Sequence, residues 1–370
     1  MNEIWIIAEI HIIAVVVAVA CALPGVFLVL RSMALMSDAI SHAILLGIVL
    51  AFFVTEDLSS PLLIIAATAT GVLTVSLVEL IRRTGLVRED AAIGIVFPAL
   101  FSGGVILISR FADDVHLDTD AVLLGELAYA PLDRYTLFGC DLPKSLWVMA
   151  GILLINLIFI SLFYKELKLT TFDVGLAAAL GFSPALIHYG LMTIVSITAV
   201  GAFDAVGSIL VVALMVAPAA TAYLLTNRLS YLLGLSALIG VIAAISGYWV
   251  ARFLDASIGG SMATMTGVLF LLTFLLAPDR GVIAIAVRRT QQRWEFAQTM
   301  LTIHLFNHEG VPDAERECHI EHLDEHLRWN TSFAERVVRY AERHGSIRCR
   351  NGRLFLTEHG RQIAREALVS

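Results

Sequence analysis

The stretch MALMSDAISHAILLGIVLAFF, residues 33–53, places an aspartate and a histidine inside an otherwise apolar run. A helix of about 20 apolar residues is long enough to cross the roughly 30 Å hydrocarbon core of a bilayer. The stretch therefore predicts a membrane-spanning helix. Asp38 and His42, four residues apart within it, need a separate explanation.

The composition extends this prediction to most of the chain. Of the 370 residues 58% are hydrophobic and 15% charged, whereas soluble domains average about 25% charged residues. Long apolar runs recur along the chain, which predicts an all-α polytopic membrane protein with about eight or nine spans. The candidate spans are residues 4–30, 33–53, 61–81, 91–109, 145–164, 185–202, 204–223, 229–253 and 262–278.

Basic residues at the connections predict the orientation, because Lys and Arg near span ends are retained on the cytoplasmic side. Alternate connections carry them, which places the N-terminus outside and the C-terminus in the cytoplasm. The segment 121–144 is interrupted by Pro131 and Pro143 and is predicted to be an external or re-entrant piece. The basic residues are Arg31, Arg82, Arg83, Arg88, Lys165, Lys168, Arg228 and Arg280.

The composition changes abruptly near residue 285. Seven of the eleven histidines follow residue 300, in a charged segment without long apolar runs. The sequence thus predicts two domains, a transmembrane domain at 1–284 and a small cytoplasmic domain at 285–370.

Asp38 and His42 would lie one turn apart on the same helix face. Ionisable groups inside a membrane are costly and usually face a bundle interior or a water-filled path. One interpretation is a mutual hydrogen bond that only satisfies both groups. The other is a metal site, since a carboxylate and an imidazole suit Mn²⁺, Zn²⁺ or Fe²⁺. Two ligands do not close a site, so a second subunit would have to complete it.

Four motifs in this order resemble those of the ABC-type permeases for manganese, zinc and iron, over about residues 5–285. The third resembles the manganese-type branch. The motifs are RSMALMSDAISHAILLGIVLAF (31–52), REDAAIGIVFPALFSGGVILIS (88–109), HLDTDAVLLGELAYAPLDR (116–134) and GSILVVALMVAPAATAYLL (207–225).

The resemblance implies a type II ABC importer permease in the bacterial plasma (inner) membrane, surrounded by lipid, with Asp38 and His42 as metal ligands on the translocation path. It implies a separate ATP-binding subunit, an external metal-binding protein and a second permease subunit, identical or homologous. The cargo would be Mn²⁺ first, with Zn²⁺ or Fe²⁺ next, and no cofactor would be permanently bound. The chain is not expected to be an enzyme, because none of its three lysines lies in a GxxxxGK[ST] loop.

The segment TTFDVGLAAALGFSP, residues 170–184, has the small residues expected of a helix that transmits force from an ATPase. Asp173 stands where a helix would start, and an acid there complements the helix dipole. Ala177 and Gly181 belong to the small-residue run. The alternative is an ordinary connecting helix.

Carboxylates concentrate in the predicted external loop, where they would raise the local cation concentration or receive a basic docking surface. A simple solvated loop is the alternative. The possible outer-mouth contacts are His116, Asp118, Asp120 and Glu126.

The C-terminal segment predicts helices at 292–309, 312–328 and 331–344, the last capped by Asn330, then a strand, an Asn-Gly turn, a strand and a helix. This order resembles a winged-helix domain, and LFLTEHGRQIA is similar to the end of metal-dependent repressors. The acidic run at 313–326 would repel phosphates and argues against a nucleic-acid partner.

His319, His322 and His326 would share one face of the helix at 312–328, which suggests a cytoplasmic metal site. A charged, solvated helix is the alternative. These residues also suggest another function, a membrane-anchored metal-responsive regulator, although nine spans and the permease motifs would then be unexplained. A channel or ion-coupled transporter that works without ATP is disfavoured by the segment at 170–184.

Overall fold

A computed structural model describes residues 3–56, 60–111, 127–137, 140–309, 317–323 and 327–369. Packing divides the chain into two units, Met1–Arg280 and Gly281–Ser370, called the membrane unit and the C-terminal unit below. The assignment of 1–284 to a permease domain and of 285–370 to a winged-helix-like domain stays a prediction.

Within the described ranges, nine helices are long and apolar enough to cross a membrane. The all-α, multi-pass fold is thereby confirmed. Two short helices separate the fifth and sixth of these spans. In chain order the helices are α1 (Glu3–Leu30), α2 (Ala34–Thr55), α3 (Pro61–Arg83), α4 (Glu89–Phe111), α5 (Lys144–Leu162), α6 (Tyr164–Phe172), α7 (Val174–Ala179), α8 (Pro184–Val206), α9 (Ser208–Leu225), α10 (Leu229–Leu254) and α11 (Ile258–Leu276).

Helix α1 lies at the centre of the membrane unit and packs against α5, α8, α9 and α10. A buried polar contact fixes part of this packing: the Asn156 side-chain amide on α5 donates to the Ala20 carbonyl and to the Thr198 hydroxyl, each at 2.9 Å. Helix α2 packs on the other side of the bundle, against α3 and α4.

Gly25 allows α1 and α9 to approach closely, since a Cβ added there would lie 1.9 Å from the Met215 carbonyl oxygen. Small residues at such crossings are what bring membrane helices together. We expect Gly25→Val to separate the two helices and to prevent recovery of monodisperse protein. Size-exclusion chromatography in detergent measures this. Gly151→Val is the matched control, because nothing lies within 4 Å of an added Cβ at that position; equal behaviour of the two variants would contradict the prediction.

The break between the sixth and seventh spans differs from the expected one. The sequence places it at residue 203, but α8 continues to Val206 and ends at Gly207, whose φ is 81°. Asp204 therefore lies inside the last turn of α8 rather than at a helix start. Glycine readily adopts this left-handed backbone conformation. The helix therefore ends at Gly207 and not at Asp204.

Part of the segment 121–144 forms a β-hairpin, with β1 (Arg134–Leu137) antiparallel to β2 (Cys140–Pro143). The Arg134 guanidinium lies 2.9 Å from Asp141 and 3.1 Å from Glu9 at the start of α1. The two carboxylates raise the pKa of Arg134. The hairpin is thus attached to the N-terminal part of α1.

The C-terminal unit contains α12 (Val282–His308), a 3₁₀ turn (Ile320–His322), α13 (Thr331–Arg343), the antiparallel strands β3 (Ile347–Arg350) and β4 (Arg353–Leu356), and α14 (Glu358–Val369). Its own core includes Leu301, Leu305, Leu323, Val337 and Ile347.

Three predictions for this unit can be compared with the structure. The Asn330 side chain caps α13 by accepting the Phe333 N–H at 2.8 Å. Asn351 and Gly352 have φ values of 53° and 78°, the left-handed pair of a tight hairpin turn. The helix expected at 312–328 is absent over 320–322, where the chain makes a 3₁₀ turn; residues 310–316 and 324–326 lie outside the described part. The winged-helix interpretation stays a prediction.

Candidate metal site in the membrane unit

The Asp38 and His42 side chains meet on one face of α2, with His42 Nε2 3.4 Å from Asp38 Oδ1. This is longer than the usual 2.7–3.2 Å of an N–H···O hydrogen bond. The two groups are therefore close enough to share a cation or to contact each other, and the metal interpretation stays a prediction.

The pair lies at the edge of the buried face of α2. The side chain of Asp38 is 44% exposed and that of His42 is 26% exposed, while Ser37 and Ser41 beside them are buried. Asp38 is the fifth residue of α2 and His42 the ninth, about 6 and 12 Å from its start at 1.5 Å per residue. A partly exposed carboxylate at this depth would be costly against lipid, so this face needs a polar or proteinaceous cover.

Two aromatic rings of α4 form a wall beside the histidine. The His42 ring centroid lies 5.4 Å from that of Phe97 and 5.8 Å from that of Phe101. Aromatic contacts of this kind restrict ring orientation, and so they hold the imidazole beside Asp38. Sequence reasoning did not single out these phenylalanines; their i, i+4 spacing in the second motif was the available signal.

Within the segment at 170–184, residues 174–179 form the short helix α7, and Asp173 caps it by accepting the Leu176 N–H at 2.8 Å. Helix α7 thus starts directly after Asp173, as the sequence predicted. Ala177 is buried, and Gly181, with φ 86°, turns the chain toward α8. Four large apolar side chains of this segment are nevertheless exposed: Phe172, Val174, Leu176 and Leu180.

Arg31, which follows α1, attaches the neighbouring helix α6 to the bundle. Its guanidinium donates to the Thr170 hydroxyl at 2.9 Å and to the Thr171 hydroxyl at 3.1 Å. Burial lowers the pKa of Arg31 to about 10, so the side chain remains protonated at neutral pH. The sequence placed Arg31 only as an orientation signal and gave no indication of this contact.

The other candidate residues are not part of this arrangement. His319 precedes the 3₁₀ turn and His322 ends it, so the α-helical face assumed for them does not form there. Their proposed metal binding stays a prediction. The remaining candidates lie outside the described residues: His116, Asp118, Asp120, Glu126 and His326.

The described part of the chain has nine helices apolar enough to span a membrane, one of which carries an ionisable pair, and so it defines a multi-pass membrane protein. Comparison with known sequences makes this specific, since the profile of the ABC 3 transport family matches residues 4–277. The chain belongs to this family.

Individual relatives agree with that assignment. The zinc transport system membrane protein TroD of Treponema pallidum (strain Nichols) is 49% identical over 360 residues, which cover 97% of this chain and 98% of the relative. The manganese transport system membrane protein MntD of Bacillus subtilis (strain 168) is 49% identical over 296 residues, 80% of this chain and 99% of the relative.

A solved structure described as PsaBC from Streptococcus pneumoniae in complex with Fab matches with a TM-score of 0.63 at 31% identity, covering 74% of this chain and 93% of the other.

The sequence matches cover different lengths of this chain. The Treponema relative extends into the C-terminal unit, whereas the family profile ends at residue 277. The family profile thus matches the membrane unit, while the similarity to the Treponema relative continues beyond it.

Proposed function

We propose that this chain is the permease subunit of an ATP-driven importer for divalent transition metal ions, with Asp38 and His42 as transient ligands on the path. The observation that carries the proposal is the juxtaposition of a carboxylate and an imidazole, 3.4 Å apart, on a partly exposed face of a candidate membrane-spanning helix. With only two ligands from each chain, the site binds an ion weakly, which suits transit better than storage.

A second permease subunit, identical or homologous, covers the face of α2 that carries Asp38 and His42. A partner that presents its own carboxylate and imidazole would complete four ligands and remove the cost of exposing Asp38 to lipid. The metal would come from an external metal-binding protein. The relatives named for zinc and manganese transport support a metal cargo.

Hydrolysis of ATP belongs to a separate ATP-binding subunit that docks at α7. The exposed apolar side chains around this short helix fit an apolar cleft in that partner. If each of the nine candidate spans in the described part of the chain crosses once, the α7 connection and the C-terminus lie on the same side, and the basic connections favour the cytoplasm for that side.

Vesicles that contain the permease, its ATP-binding subunit and its binding protein test the proposal. We expect ATP-dependent accumulation of Mn²⁺, with Zn²⁺ and Fe²⁺ as competing cargoes, because all three accept an oxygen and an imidazole ligand. Element analysis of the vesicle contents measures the uptake. Accumulation of none of these ions, or accumulation that is equal without ATP, would contradict the proposal.

A further inference from the structure

A second cluster of metal-ligating side chains lies in the C-terminal unit, apart from the residues considered above. His304 and His308 stand one turn apart on α12, and their ring centroids are 4.7 Å apart. Glu317 approaches them from a different part of the chain. One ligand atom from each residue can be chosen so that all three atoms lie within 4.8 Å of one another.

This separation is close to what a transition metal requires. Bonds of about 2.0–2.2 Å to nitrogen and oxygen place tetrahedral ligand atoms about 3.3–3.6 Å apart, so side-chain rotations would bring the three atoms onto one ion. Two imidazoles and one carboxylate form a nitrogen and oxygen set that suits Zn²⁺, Fe²⁺ or Mn²⁺ and leaves a position for water.

The surroundings of His304 determine which of its nitrogens can bind an ion. His304 Nε2 lies 3.1 Å from the Glu317 carbonyl oxygen, and since a carbonyl only accepts, Nε2 carries the hydrogen. In the neutral ring the lone pair is then on Nδ1. Metal-bound histidines generally donate their other N–H in this way, which fixes the tautomer and the ring orientation. His304 is also 8% exposed, so its ring is held by packing.

We propose that His304, His308 and Glu317 form a second site for a divalent transition metal ion, separate from Asp38 and His42. The ion would join α12 to the segment that contains Glu317. That segment is in turn bonded to the β3–β4 hairpin, since the Cys318 carbonyl accepts the Leu354 N–H at 2.8 Å and the Ile320 N–H donates to the Gly352 carbonyl at 3.1 Å. Metal occupancy would therefore stabilise the C-terminal unit against local opening.

The test uses the full chain in detergent, carrying Asp38→Ala and His42→Ala so that the transport pair does not contribute. Co²⁺ is the probe, because its absorption reports nitrogen and oxygen ligation, and equilibrium dialysis gives the stoichiometry. We expect one bound Co²⁺ per chain. Glu317→Gln, which keeps the shape of the side chain, and His308→Ala should each weaken this binding by about tenfold or more.

His359→Ala is the matched control, since His359 is an exposed histidine of the same unit that lies outside the cluster; it should retain the bound ion. Size-exclusion profiles show whether each variant is folded, and Glu317→Gln keeps the test decisive if His308→Ala unfolds. Unchanged Co²⁺ binding in Glu317→Gln, or an equal loss of binding in His359→Ala, would overturn the assignment. The result is independent of uptake, because the transport pair is absent throughout.

Discussion

Replacing Asp38 with asparagine, or His42 with alanine, is expected to abolish ATP-driven metal uptake while the protein still inserts and folds. Asparagine keeps the shape of the side chain but removes the charge that attracts the cation, and alanine removes the imidazole. The loss of an outer-shell partner already costs metal sites about 10–100-fold, so the loss of one of two ligands should reduce uptake by at least that factor.

The fold should tolerate both changes. Both side chains are partly exposed and lie beside, rather than within, the buried face of α2. Uptake by reconstituted vesicles and the size-exclusion profile of each variant are the two measurements.

Asp255→Asn is the matched control for Asp38→Asn. Asp255 is an exposed carboxylate that ends α10 with φ 52°, a conformation that asparagine also adopts readily. It should transport normally. If Asp38→Asn and His42→Ala retain the uptake seen with Asp255→Asn, the pair is not on the path.

Hydropathy was sufficient to predict the fold because each span satisfies its own backbone hydrogen bonds and needs only a long apolar run. The errors lie at the ends. Helix α11 begins at Ile258 rather than at residue 262, since the Ser257 hydroxyl accepts the Gly260 N–H and starts the helix among small residues that hydropathy scores poorly.

The sequence predicted only those parts of the candidate site that involve residues close together in the chain. Asp38 and His42 are linked by helical periodicity, and Asp173 caps the helix that follows it, so sequence spacing describes both. The Phe97 and Phe101 wall depends on how α2 packs against α4. Likewise, Arg31 and Thr170 are separated by 139 residues. No local pattern reports such contacts.

The C-terminal unit contains one contact that local spacing predicts and one that depends on tertiary structure. His304 and His308 have the same i, i+4 spacing as the transport pair, and the same reasoning would have selected them. Glu317 approaches them through tertiary structure, which no spacing rule anticipates. The sequence instead pointed to His319 and His322 on an assumed helix, and the 3₁₀ turn there removes the periodicity on which that argument depended.

Replacing Leu176 or Leu180 with glutamate is expected to weaken association with the ATP-binding subunit and so to reduce ATP-dependent uptake. Their side chains are 47% and 58% exposed around α7, although apolar groups of this size are usually buried against something. If they dock in an apolar cleft of the ATP-binding subunit, a carboxylate there would have to be desolvated without a partner. A hot-spot residue at the centre of an interface contributes about 2 kcal/mol or more, so with Leu176 and Leu180 in that role the affinity of the two subunits should fall at least about 30-fold.

The measurements are pull-down of the ATP-binding subunit by the detergent-solubilised permease, and ATP-dependent uptake after reconstitution. Leu86→Glu is the matched control: Leu86 is 87% exposed in the connection between α3 and α4, on the same predicted side of the membrane. It should bind the partner and transport normally. Retained association and uptake in Leu180→Glu would show that α7 is an ordinary connecting helix, whereas loss in Leu86→Glu as well would indicate a docking surface that extends beyond α7.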